Sequence, residues 1–567
     1  MPSTTDAPSP MRDRLLRWLP ALIFGLAFAL RLSGIGWGLK NDLHNQSYHP
    51  DEQVIWQVSQ GVKPAQLDFT PGFYNYGTLY LTCLRVASDM VAAYTGGNDP
   101  AKLDSYWAYL SRCHLAGRFI SAVAGAGLAL LMYFLIRRFT GRFGATVGAL
   151  SVAFAPGLVV HSRFQTVDML ATLLFAASLF CALKLLAEDA SDWSKPDLRN
   201  AAWAGLFAGL SAGTKYTGII ALLGVVVACV LARRGNPLKA IGLAVLTSVL
   251  GLVVGTPGIL LESGKFMQDF GYELGHTSTG HGLVFEGVGN GFVYQFGNLG
   301  VAFGPAALIL GIMGLIWAAL SRERWLAVLG SACLAYFLVI GRAEVLFLRY
   351  VFPVCVLTAA GIGYVAGTAH KRKGGWLAVG GFSLLAVGLS LGAAWQWTSV
   401  MFVDARDVMA RYLKQNSKPE TTVGLVSDPW FYTPPLIPDS AIVRGAFAYQ
   451  MEEMAAATAP KVLRYVPENP DERIDWDVRL LDQKPDYVVF SSFEAGDLAR
   501  LSARADLKPD VQLQVDRFKA FLDRLQREYD EQTGSGNPIA RYAARGLLVH
   551  DMQYVRPSLF LWKRKTP

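Results

Sequence analysis

The chain has 567 residues, of which 52% are hydrophobic and only 17% are charged, and its mean hydropathy is +0.30. An ordinary soluble globular protein is less apolar, so this composition excludes that class and predicts a polytopic α-helical membrane protein. The net charge of +8 does not predict a nucleic-acid partner, because Lys and Arg also accumulate in the loops that set membrane topology.

Apolar stretches recur along the first 400 residues. A transmembrane helix needs roughly 20 apolar residues to cross the bilayer. Stretches of about that length occur at 18–39, 116–136, 143–161, 166–187, 201–215, 217–232, 238–256, 298–320, 325–341, 348–367 and 376–397. We therefore predict about eleven transmembrane helices. The first stretch carries Arg31 and lacks a small-residue cleavage site, so we expect a retained span rather than a signal peptide.

Basic residues in alternate loops predict the orientation of the chain. They are Arg12, Arg14 and Arg17 before the first stretch, then Arg137/Arg138/Arg142, Lys184/Lys195/Arg199, Arg233/Arg234/Lys239, Arg322/Arg324 and Lys371/Arg372/Lys373. Because basic residues resist translocation, residues 1–17 are predicted to be cytoplasmic, and the protein is predicted to be a multi-pass protein of the plasma (inner) membrane. The outer loops then include residues 40–115 and a Gly-rich segment at 257–297.

Residues 400–567 are predicted to form a soluble extracytoplasmic α/β domain that follows a transmembrane domain at 18–399. The segments "DARDVMARYLKQN" and "DVQLQVDRFKAFLDRLQREYDEQ" have helical patterns, whereas "KPETTVGLVSD", "KPDYVVFSSF" and "RPSLFLWKR" each contain a strand pattern. No P-loop and no Gly-rich nucleotide fingerprint occurs there. We therefore expect an activated substrate to arrive through the lipid or from outside.

Ionisable residues interrupt the apolar pattern at the outer ends of the predicted spans. They are Asp51, Glu52, His161, Arg163, Asp168, Lys215, Arg342, Glu344 and Arg349. Such groups are costly at a membrane boundary unless they are paired or hydrated, so the set predicts a functional site on one membrane face. The alternative for a single residue, above all Arg163 or Arg342, is snorkelling or a salt bridge in a loop.

Six segments, taken in chain order, resemble a known family. They are "YHPDE", "FTPGFYNYGTLYLTCL", "HSRFQTVDMLATLLF", "GLSAGTKYTGII", "FLRYVFP" and "DARDVMARYL". This set is similar to membrane glycosyltransferases that use lipid-phosphate sugars, of the protein O-mannosyltransferase and aminoarabinose-transferase type. The resemblance covers about residues 18–400 and implies the GT-C fold. It also implies a polyprenyl-phosphate-linked sugar donor, a lipid bilayer environment and a protein or glycan acceptor.

One segment of this chain differs from the pattern of the family. Where the mannosyltransferases carry an "HPPLGK"-like segment, this chain has "TPGFYNYGTLY", which contains no Lys. We therefore expect the donor or acceptor contacts of this stretch to differ from those of the family.

Three acids are predicted to serve catalysis. A lipid-phosphate sugar already has a good leaving group, but the acceptor hydroxyl must lose a proton as it attacks, which calls for a carboxylate. Asp51 is the candidate base. Successive helix residues diverge by roughly 100°, so Glu52 is expected to anchor the helix to an Arg instead. Asp168 is the second acid, which either orients the acceptor or fixes Arg163.

Basic and aromatic residues complete the predicted site. Lys215 and Arg349, together with Arg163, are candidates to hold the donor phosphate, since ammonium and guanidinium groups bind phosphate oxygens well. The predicted substrate or loop contacts are His49, His161, Tyr74 and Tyr350, whereas Pro50 is assigned no role.

A metal site is the less favoured interpretation of the Gly-rich loop. His276, His281 and Glu286 lie in "GHTSTGHGLVFEGVGNG" and are potential ligands, but the glycine density favours a mobile loop over the site. We therefore assign no metal and no cofactor from the sequence.

A transporter or flippase of a lipid-linked sugar is the alternative function. Its charges would line a path through the bilayer. Apart from Arg31 and residues near their ends, the predicted spans lack acids and bases at mid-membrane depth, which favours the glycosyltransferase.

Overall fold

The computed structural model describes residues 17–95, 103–186, 192–371, 376–437, 460–465, 467, 469, 472–546 and 549–566. Two parts of the predicted topology lie outside the described residues. They are residues 1–16 of the predicted cytoplasmic N-terminus, and Arg372 and Lys373 of the last basic loop.

The apolar first 400 residues fold into helices, and every predicted span overlaps at least one of them. The helices are α1 (Leu19–Leu32), α2 (Glu52–Ser59), α3 (Leu79–Thr95), α4 (Leu103–Ile136), α5 (Arg142–Ala153), α6 (Pro156–His161), α7 (Asp168–Lys184), α8 (Lys195–Ala212), α9 (Ala221–Leu231), α10 (Leu238–Gly255), α11 (Gly258–Leu261), α12 (Ser263–Thr279), α13 (Gly291–Phe303), α14 (Pro305–Leu320), α15 (Arg324–Arg342), α16 (Phe352–Lys371) and α17 (Trp376–Ser399). Short 3₁₀ turns occur at Pro64–Gln66, Tyr216–Ile220 and Leu348–Val351.

Several of these helices are long and apolar enough to cross a membrane. Among the described residues they are Ser105–Ile136, Leu238–Gly255, Arg324–Arg342, Leu348–Lys371 and Val379–Ser399. The pair α13 and α14 adds a sixth if it counts as one span, but it bends by 111°. Gly304 sits at this break with a φ of +89°, and Pro305 cannot donate a backbone hydrogen bond to continue α13. This is the architecture of a polytopic membrane protein, whereas the number eleven stays a prediction.

Small residues bring α8 and α10 into close contact, which positions the chain that follows α8. A side chain at Gly205 or Gly209 would collide with the backbone carbonyls of Ala244 and Ser248. Such packing is typical of membrane helices. Lipid tails are as apolar as the helix surfaces, so helices associate through close contacts between small residues rather than through the hydrophobic effect. The backbone N–H of Leu79 donates to the carbonyl of Gly213 at 3.0 Å, so the predicted first outer loop docks at the end of α8.

The C-terminal region contains a five-stranded sheet of order β2-β1-β3-β5-β4. Its elements are α18 (Ala405–Asn416), β1 (Thr422–Leu425), β2 (Lys461–Leu463), β3 (Tyr487–Ser491), α19 (Ser492–Leu501), α20 (Pro509–Glu528), β4 (Tyr529–Glu531), α21 (Pro538–Gly546) and β5 (Leu559–Arg564), with 3₁₀ turns at Val478–Gln483 and His550–Val555. Strand β1 runs parallel to β2 and β3, and β5 runs antiparallel to β3 and β4. The domain boundary near residue 400 and the extracytoplasmic location stay predictions.

A turn near the C-terminus joins this sheet region to the helices. Met552, Tyr554 and Val555 belong to the same buried apolar cluster as the helical core. The indole N–H of Trp37, just after α1, donates to the carboxylate of Asp404 at 2.9 Å. Helical and sheet regions therefore share one packed boundary, and the candidate site lies along it.

Candidate active site

A cavity of about 880 Å³ lies between the helical region and the C-terminal sheet region. Its inner end is lined by residues of the helical part: Pro50, Asp51, Val54, Ile55, Tyr76, Thr166, Val167, Asp168, Lys215, Glu273, Phe347, Arg349 and Tyr350. Four residues predicted from the sequence as catalytic or phosphate-binding therefore line a single cavity, although they are up to 298 positions apart in the chain.

Asp51 and Glu52 point in different directions, as the helical geometry predicts. Asp51 stands at the N-terminal boundary of α2, its carboxylate makes no capping hydrogen bond, and it faces the cavity. Its carboxylate lies 3.5 Å from the guanidinium of Arg349. Glu52 is fully buried and accepts two hydrogen bonds from Arg118, each of 2.8 Å. Glu52 is therefore an anchor with Arg118 as its partner, and it does not line the cavity.

Asp168, Lys215 and Arg349 form an ion cluster beside Asp51. Asp168 begins α7, and its carboxylate accepts a hydrogen bond of 2.7 Å from the ammonium of Lys215. Arg349, in the turn before α16, lies 3.9 Å from Asp168. The structure thus pairs Asp168 with these two cations rather than with Arg163.

Aromatic rings hold both cations at the edge of the cavity. The ammonium of Lys215 lies 4.2 Å from the centre of the Tyr350 ring, and the guanidinium of Arg349 lies 4.1 Å from that of Phe347. Cation–π contacts of this kind stabilise a partly desolvated charge. The Nη1 atom of Arg349 is buried, has no hydrogen-bond partner among the described residues and lies 3.9 Å from the carboxylate of Asp551.

Asp551 is a site residue that the sequence analysis missed. It is fully buried, and its two carboxylate oxygens accept the backbone N–H groups of Leu348 and Arg349, each at 3.1 Å. Its carboxylate also lies 3.6 Å from the ring of His161. Asp551 therefore fixes the turn that carries Arg349 and Tyr350. The surrounding "LVHDMQYV" lies far from any predicted span end, so no pattern in the sequence marks it.

We expect Asp551→Asn to lower the rate of the reaction by about 10–100-fold, because a small displacement of a positioned group has effects of this size. The Asn side chain has one carbonyl oxygen to accept the two backbone N–H groups of Leu348 and Arg349, and its NH₂ group would face one of these donors. The turn that carries Arg349 would therefore shift. The single-turnover rate and the KM for the donor measure this effect. Asp523→Asn, an exposed position on α20, is the matched control. Equal kinetics for both variants would remove Asp551 from the site.

Several predicted residues are not brought to the cavity. Arg163 is buried and donates to the backbone carbonyls of Leu30 and Arg31 and to the hydroxyl of Thr398. It therefore holds helices together, which is neither the predicted phosphate contact nor the snorkelling or loop salt bridge of the alternative. Tyr74 is buried and donates to Glu262 at 2.5 Å. Its neighbour two positions along, Tyr76, lines the cavity instead. Arg342 and Glu344 are exposed and do not line it either.

The two predicted histidines, His49 and His161, lie behind the residues that line the cavity. The Nδ1 atom of His49 accepts the backbone N–H of Asp51 at 3.2 Å, and its ring packs on Phe164. Burial lowers the pKa of His49, so the ring is neutral near pH 7. His161 is buried beside Asp551. Both rings therefore support the residues that face the cavity, whereas Tyr350 faces it directly.

The described part of the chain contains no group of three or more metal-ligating side chains. In the Gly-rich loop, the carboxylate of Glu286 pairs with Lys508 at 3.1 Å, and His281 lines the cavity. The side chain of His276 lies outside the described residues.

Residues 110–260 match the family model of the dolichyl-phosphate-mannose-protein mannosyltransferases. This match confirms the resemblance. The matched stretch runs from α4 to α11 and contains Asp168 and Lys215, but it covers less than half of the chain. No curated protein sequence matches the chain.

Solved structures that match the chain have low sequence identity to it. ArnT from Cupriavidus metallidurans bound to undecaprenyl phosphate is 16% identical, with a TM-score of 0.47, over 74% of this chain and 83% of that one. The oligosaccharyltransferase AglB from Archaeoglobus fulgidus, in complex with an inhibitory peptide and a dolichol-phosphate, is 13% identical, with a TM-score of 0.49, over 93% and 74%. The Pmt1-Pmt2 protein O-mannosyltransferase complex of S. cerevisiae, bound to the sugar donor, is 17% identical, with a TM-score of 0.27, over 50% and 40%.

Proposed function

We propose that the protein is an inverting glycosyltransferase that moves a sugar from a polyprenyl-phosphate carrier to an acceptor hydroxyl on the outer membrane face. One observation carries this proposal. A carboxylate, Asp51, and two cations, Lys215 and Arg349, meet at the inner end of one cavity, between the apolar helices and a sheet region. A lipid-borne phosphate and a water-borne hydroxyl can both reach that point.

The proposed reaction is a single displacement. The acceptor oxygen attacks the anomeric carbon from the face opposite the phosphate, and the new C–O bond forms as the bond to the phosphate oxygen breaks. The polyprenyl phosphate leaves with the electron pair, and the acceptor proton passes to the carboxylate of Asp51. Because the leaving group is a phosphate monoester, no acid is needed, and the anomeric configuration inverts. Asp51 later returns its proton to water.

Asp51 suits the role of base better than Asp168. Its side chain is 34% exposed and touches one cation at 3.5 Å, so it can reach an incoming hydroxyl. The Asp168 side chain is 5% exposed, and one of its oxygens is hydrogen-bonded to Lys215. A carboxylate with this donor accepts a proton less readily. Asp168 thus holds Lys215 and Arg349 in place for the donor phosphate.

Replacing Lys215 or Arg349 by Gln should weaken binding of undecaprenyl phosphate by about 1.5–3 kcal/mol, the range for a hydrogen bond to a charged group. Affinity measured on the purified chain in nanodiscs checks this. Lys265→Gln is the matched control, because Lys265 pairs with Asp269 outside the cavity. Unchanged affinity in both site variants would exclude these cations from the donor site.

The proposed orientation has its own test. A reporter fused after Pro567 should be active only outside the cytoplasm, and one fused at Ala190 only inside, because the loop around Ala190 carries Lys184, Lys195 and Arg199. Enzymatic reporters that require one compartment read this directly. The opposite pattern at either position would place the cavity on the cytoplasmic face.

The flippase alternative requires a polar route across the helices. Arg31 is the basic residue deepest within a predicted span, and it is fully buried. It donates to the carbonyls of Ala27, Val152 and Ala153 and to the hydroxyl of Ser162. These bonds satisfy the guanidinium inside the helix packing rather than in a channel. The comparisons give the flippase no support either.

The decisive experiment incubates the purified chain with a panel of polyprenyl-phosphate sugars and scores release of polyprenyl phosphate by mass. Release from one or more donors, dependent on an added acceptor and on Asp51, is the expected result. Parallel reactions with and without EDTA decide whether a divalent metal is required. If no donor in the panel is consumed while labelled lipid-linked sugar crosses proteoliposome membranes, the flippase replaces the enzyme.

A further inference from the structure

The outer end of the cavity differs in chemistry from its inner end. It is walled by the Gly-rich loop and by the C-terminal region, through His281, Gly282, Leu283, Val284, Ser427, Trp430, Phe431, Tyr432, Arg473, Ile474, Asp475, Trp476, Phe493, Glu494, Asp497, Leu498, Asp510, Leu513, Gln514, Arg517, His550 and Tyr554. We call these residues the outer subsite. The mechanism above uses none of them, although they make up most of the lining.

The walls of the outer subsite are held in place by hydrogen bonds. Arg500 on α19 donates to the carbonyls of Leu283 and Glu286, at 3.1 and 2.7 Å. Arg504 donates to the carbonyl of Gly287 at 2.6 Å. These bonds fasten the Gly-rich loop to the sheet region. A site whose walls are fixed beforehand loses little entropy when a ligand binds.

Aromatic rings form one side of the outer subsite. Trp430 and Tyr432 follow β1, and Phe493 lies in the first turn of α19. The rings of Tyr432 and Phe493 lie 20° from parallel, with centroids 6.1 Å apart. Ring faces carry partial negative charge, so they attract the polarised C–H groups on the flat face of a pyranose. Aromatic rings beside hydrogen-bonding groups are therefore suited to a sugar ring.

Carboxyl groups supply the polar contacts. Glu494 and Asp497 lie beside Phe493 on the same helix. Burial raises the pKa of Glu494 to about 7 and that of Asp497 to about 6, the latter opposed by Arg500. Both oxygens of Glu494 already accept hydrogen bonds, from the hydroxyls of Ser427 and Ser491, and Asp497 accepts one from Arg500. Near neutral pH these carboxyls are partly protonated, so the O–H group of either can donate to a sugar hydroxyl, and the second oxygen of Asp497 can accept from one.

The charges of the outer subsite give an anionic acceptor little to bind. Its described lining contains four acids, Asp475, Glu494, Asp497 and Asp510, and two arginines, Arg473 and Arg517. Three of these groups already have partners: Arg473 pairs with Asp428 at 2.9 Å, Asp475 with Arg464 at 3.0 Å and Asp497 with Arg500 at 3.1 Å. The neighbouring cations Lys215 and Arg349 lie at the inner end instead, where the donor phosphate is proposed to bind.

The sheet does not offer an extended peptide an edge in this cavity. The edge strands are β2 and β4, and their described residues do not line it. A peptide acceptor that adds a strand to a sheet gains its affinity from main-chain hydrogen bonds at such an edge. A peptide acceptor therefore lacks this mode of recognition here.

We propose that the outer subsite binds the acceptor, and that this acceptor is an uncharged saccharide stacked on Trp430, Tyr432 and Phe493 with a free hydroxyl directed toward Asp51. This inference rests on the proposed glycosyltransfer. It goes further by choosing one acceptor class. It also gives the C-terminal region a function, because that region supplies most residues of the outer subsite, where the acceptor is proposed to bind.

The test separates the donor from the acceptor. Binding of undecaprenyl phosphate to the purified chain tests the donor site alone. Transfer is then scored by mass, with the donor sugars found active above, to three acceptor classes at equal concentration: neutral pentasaccharides (malto-, cello-, xylo-, manno- and chitopentaose), a Ser/Thr-containing peptide pool, and lipid A as the phosphate-bearing acceptor. We expect transfer to at least one pentasaccharide and to neither other class.

Variants locate the acceptor. Tyr432→Ala and Trp430→Ala should each raise the KM for the active saccharide by about 10-fold, as loss of an aromatic contact does, and leave undecaprenyl phosphate affinity unchanged. Tyr412→Ala, at an exposed ring on α18, is the matched control. Transfer to peptide or lipid A, transfer to none of the classes while the donor binds, or an unchanged KM in both site variants overturns the saccharide subsite. Failure to bind undecaprenyl phosphate overturns the proposed function instead.

Discussion

Asp51→Asn should lower the single-turnover rate of sugar transfer by about 10²–10⁴-fold, the usual effect of losing a general base. The substitution preserves the shape of the side chain but removes its basicity. Lys215 and Arg349 stay in place, because Asp168 still pairs with both. Donor affinity should therefore be close to that of the unmodified chain, which distinguishes a chemical defect from a binding defect.

The measurement is transfer with donor bound at saturation, so that only the chemical step is observed. Asp68→Asn is the matched control, since Asp68 lies in the same predicted outer loop, where it pairs with Lys63 and Thr70. If Asp51→Asn turns over normally and Asp168→Asn is inactive, Asp168 rather than Asp51 is the general base. Normal turnover in both variants would contradict the glycosyltransferase itself.

The position of the site along the chain could be predicted from the sequence for a physical reason. Because successive spans cross the membrane in opposite directions, polar residues at alternate span ends lie on the same membrane face. Residues far apart in the sequence can therefore be predicted to lie near one another. This pattern predicts nine site residues, of which Asp51, Asp168, Lys215 and Arg349 line one cavity. The strand patterns near residues 423, 488 and 561 likewise match β1, β3 and β5.

The contacts of individual residues could not be predicted in this way. Arg163 and Arg349 occupy similar positions in the pattern, yet backbone carbonyls bind Arg163 within the helix packing. Asp551 reaches the turn before α16 from about 200 residues away, and only the tertiary fold brings the two together. The predicted span at 143–161 is divided at Ala155, because Pro156 begins a new helix.

Glu52 shows what helical geometry can and cannot predict. The rotation between successive residues predicts that Glu52 faces away from Asp51 and pairs with an Arg, but it does not predict that Glu52 connects three segments. Its carboxylate accepts from Ser47, from Arg118 and from the backbone N–H of Gln165, which lies close to Asp168. Its effect on catalysis is therefore indirect, through the positions of α2 and of the turn before α7.

Glu52→Gln should destabilise the protein by about 3–5 kcal/mol, because it leaves the buried guanidinium of Arg118 without a counter-charge. Burial alone would raise the pKa of Glu52, but Arg118 outweighs it and lowers that pKa to about 2. A carboxyl whose folded pKa lies below its unfolded value stabilises the fold above the unfolded value, near 4.5, and this contribution is lost as the pH falls toward 2. The Gln variant should lack that dependence.

The free energy of unfolding, measured by SDS titration in mixed micelles, tests this prediction. Glu528→Gln is the matched control, since Glu528 pairs with Arg524 at the surface, where an ion pair contributes only about 0–1 kcal/mol. Per folded molecule, Glu52→Gln should transfer sugar faster than Asp51→Asn, because the base is still present. A Glu52→Gln variant of normal stability that cannot transfer sugar would show that Glu52, and not only Asp51, acts in the chemical step.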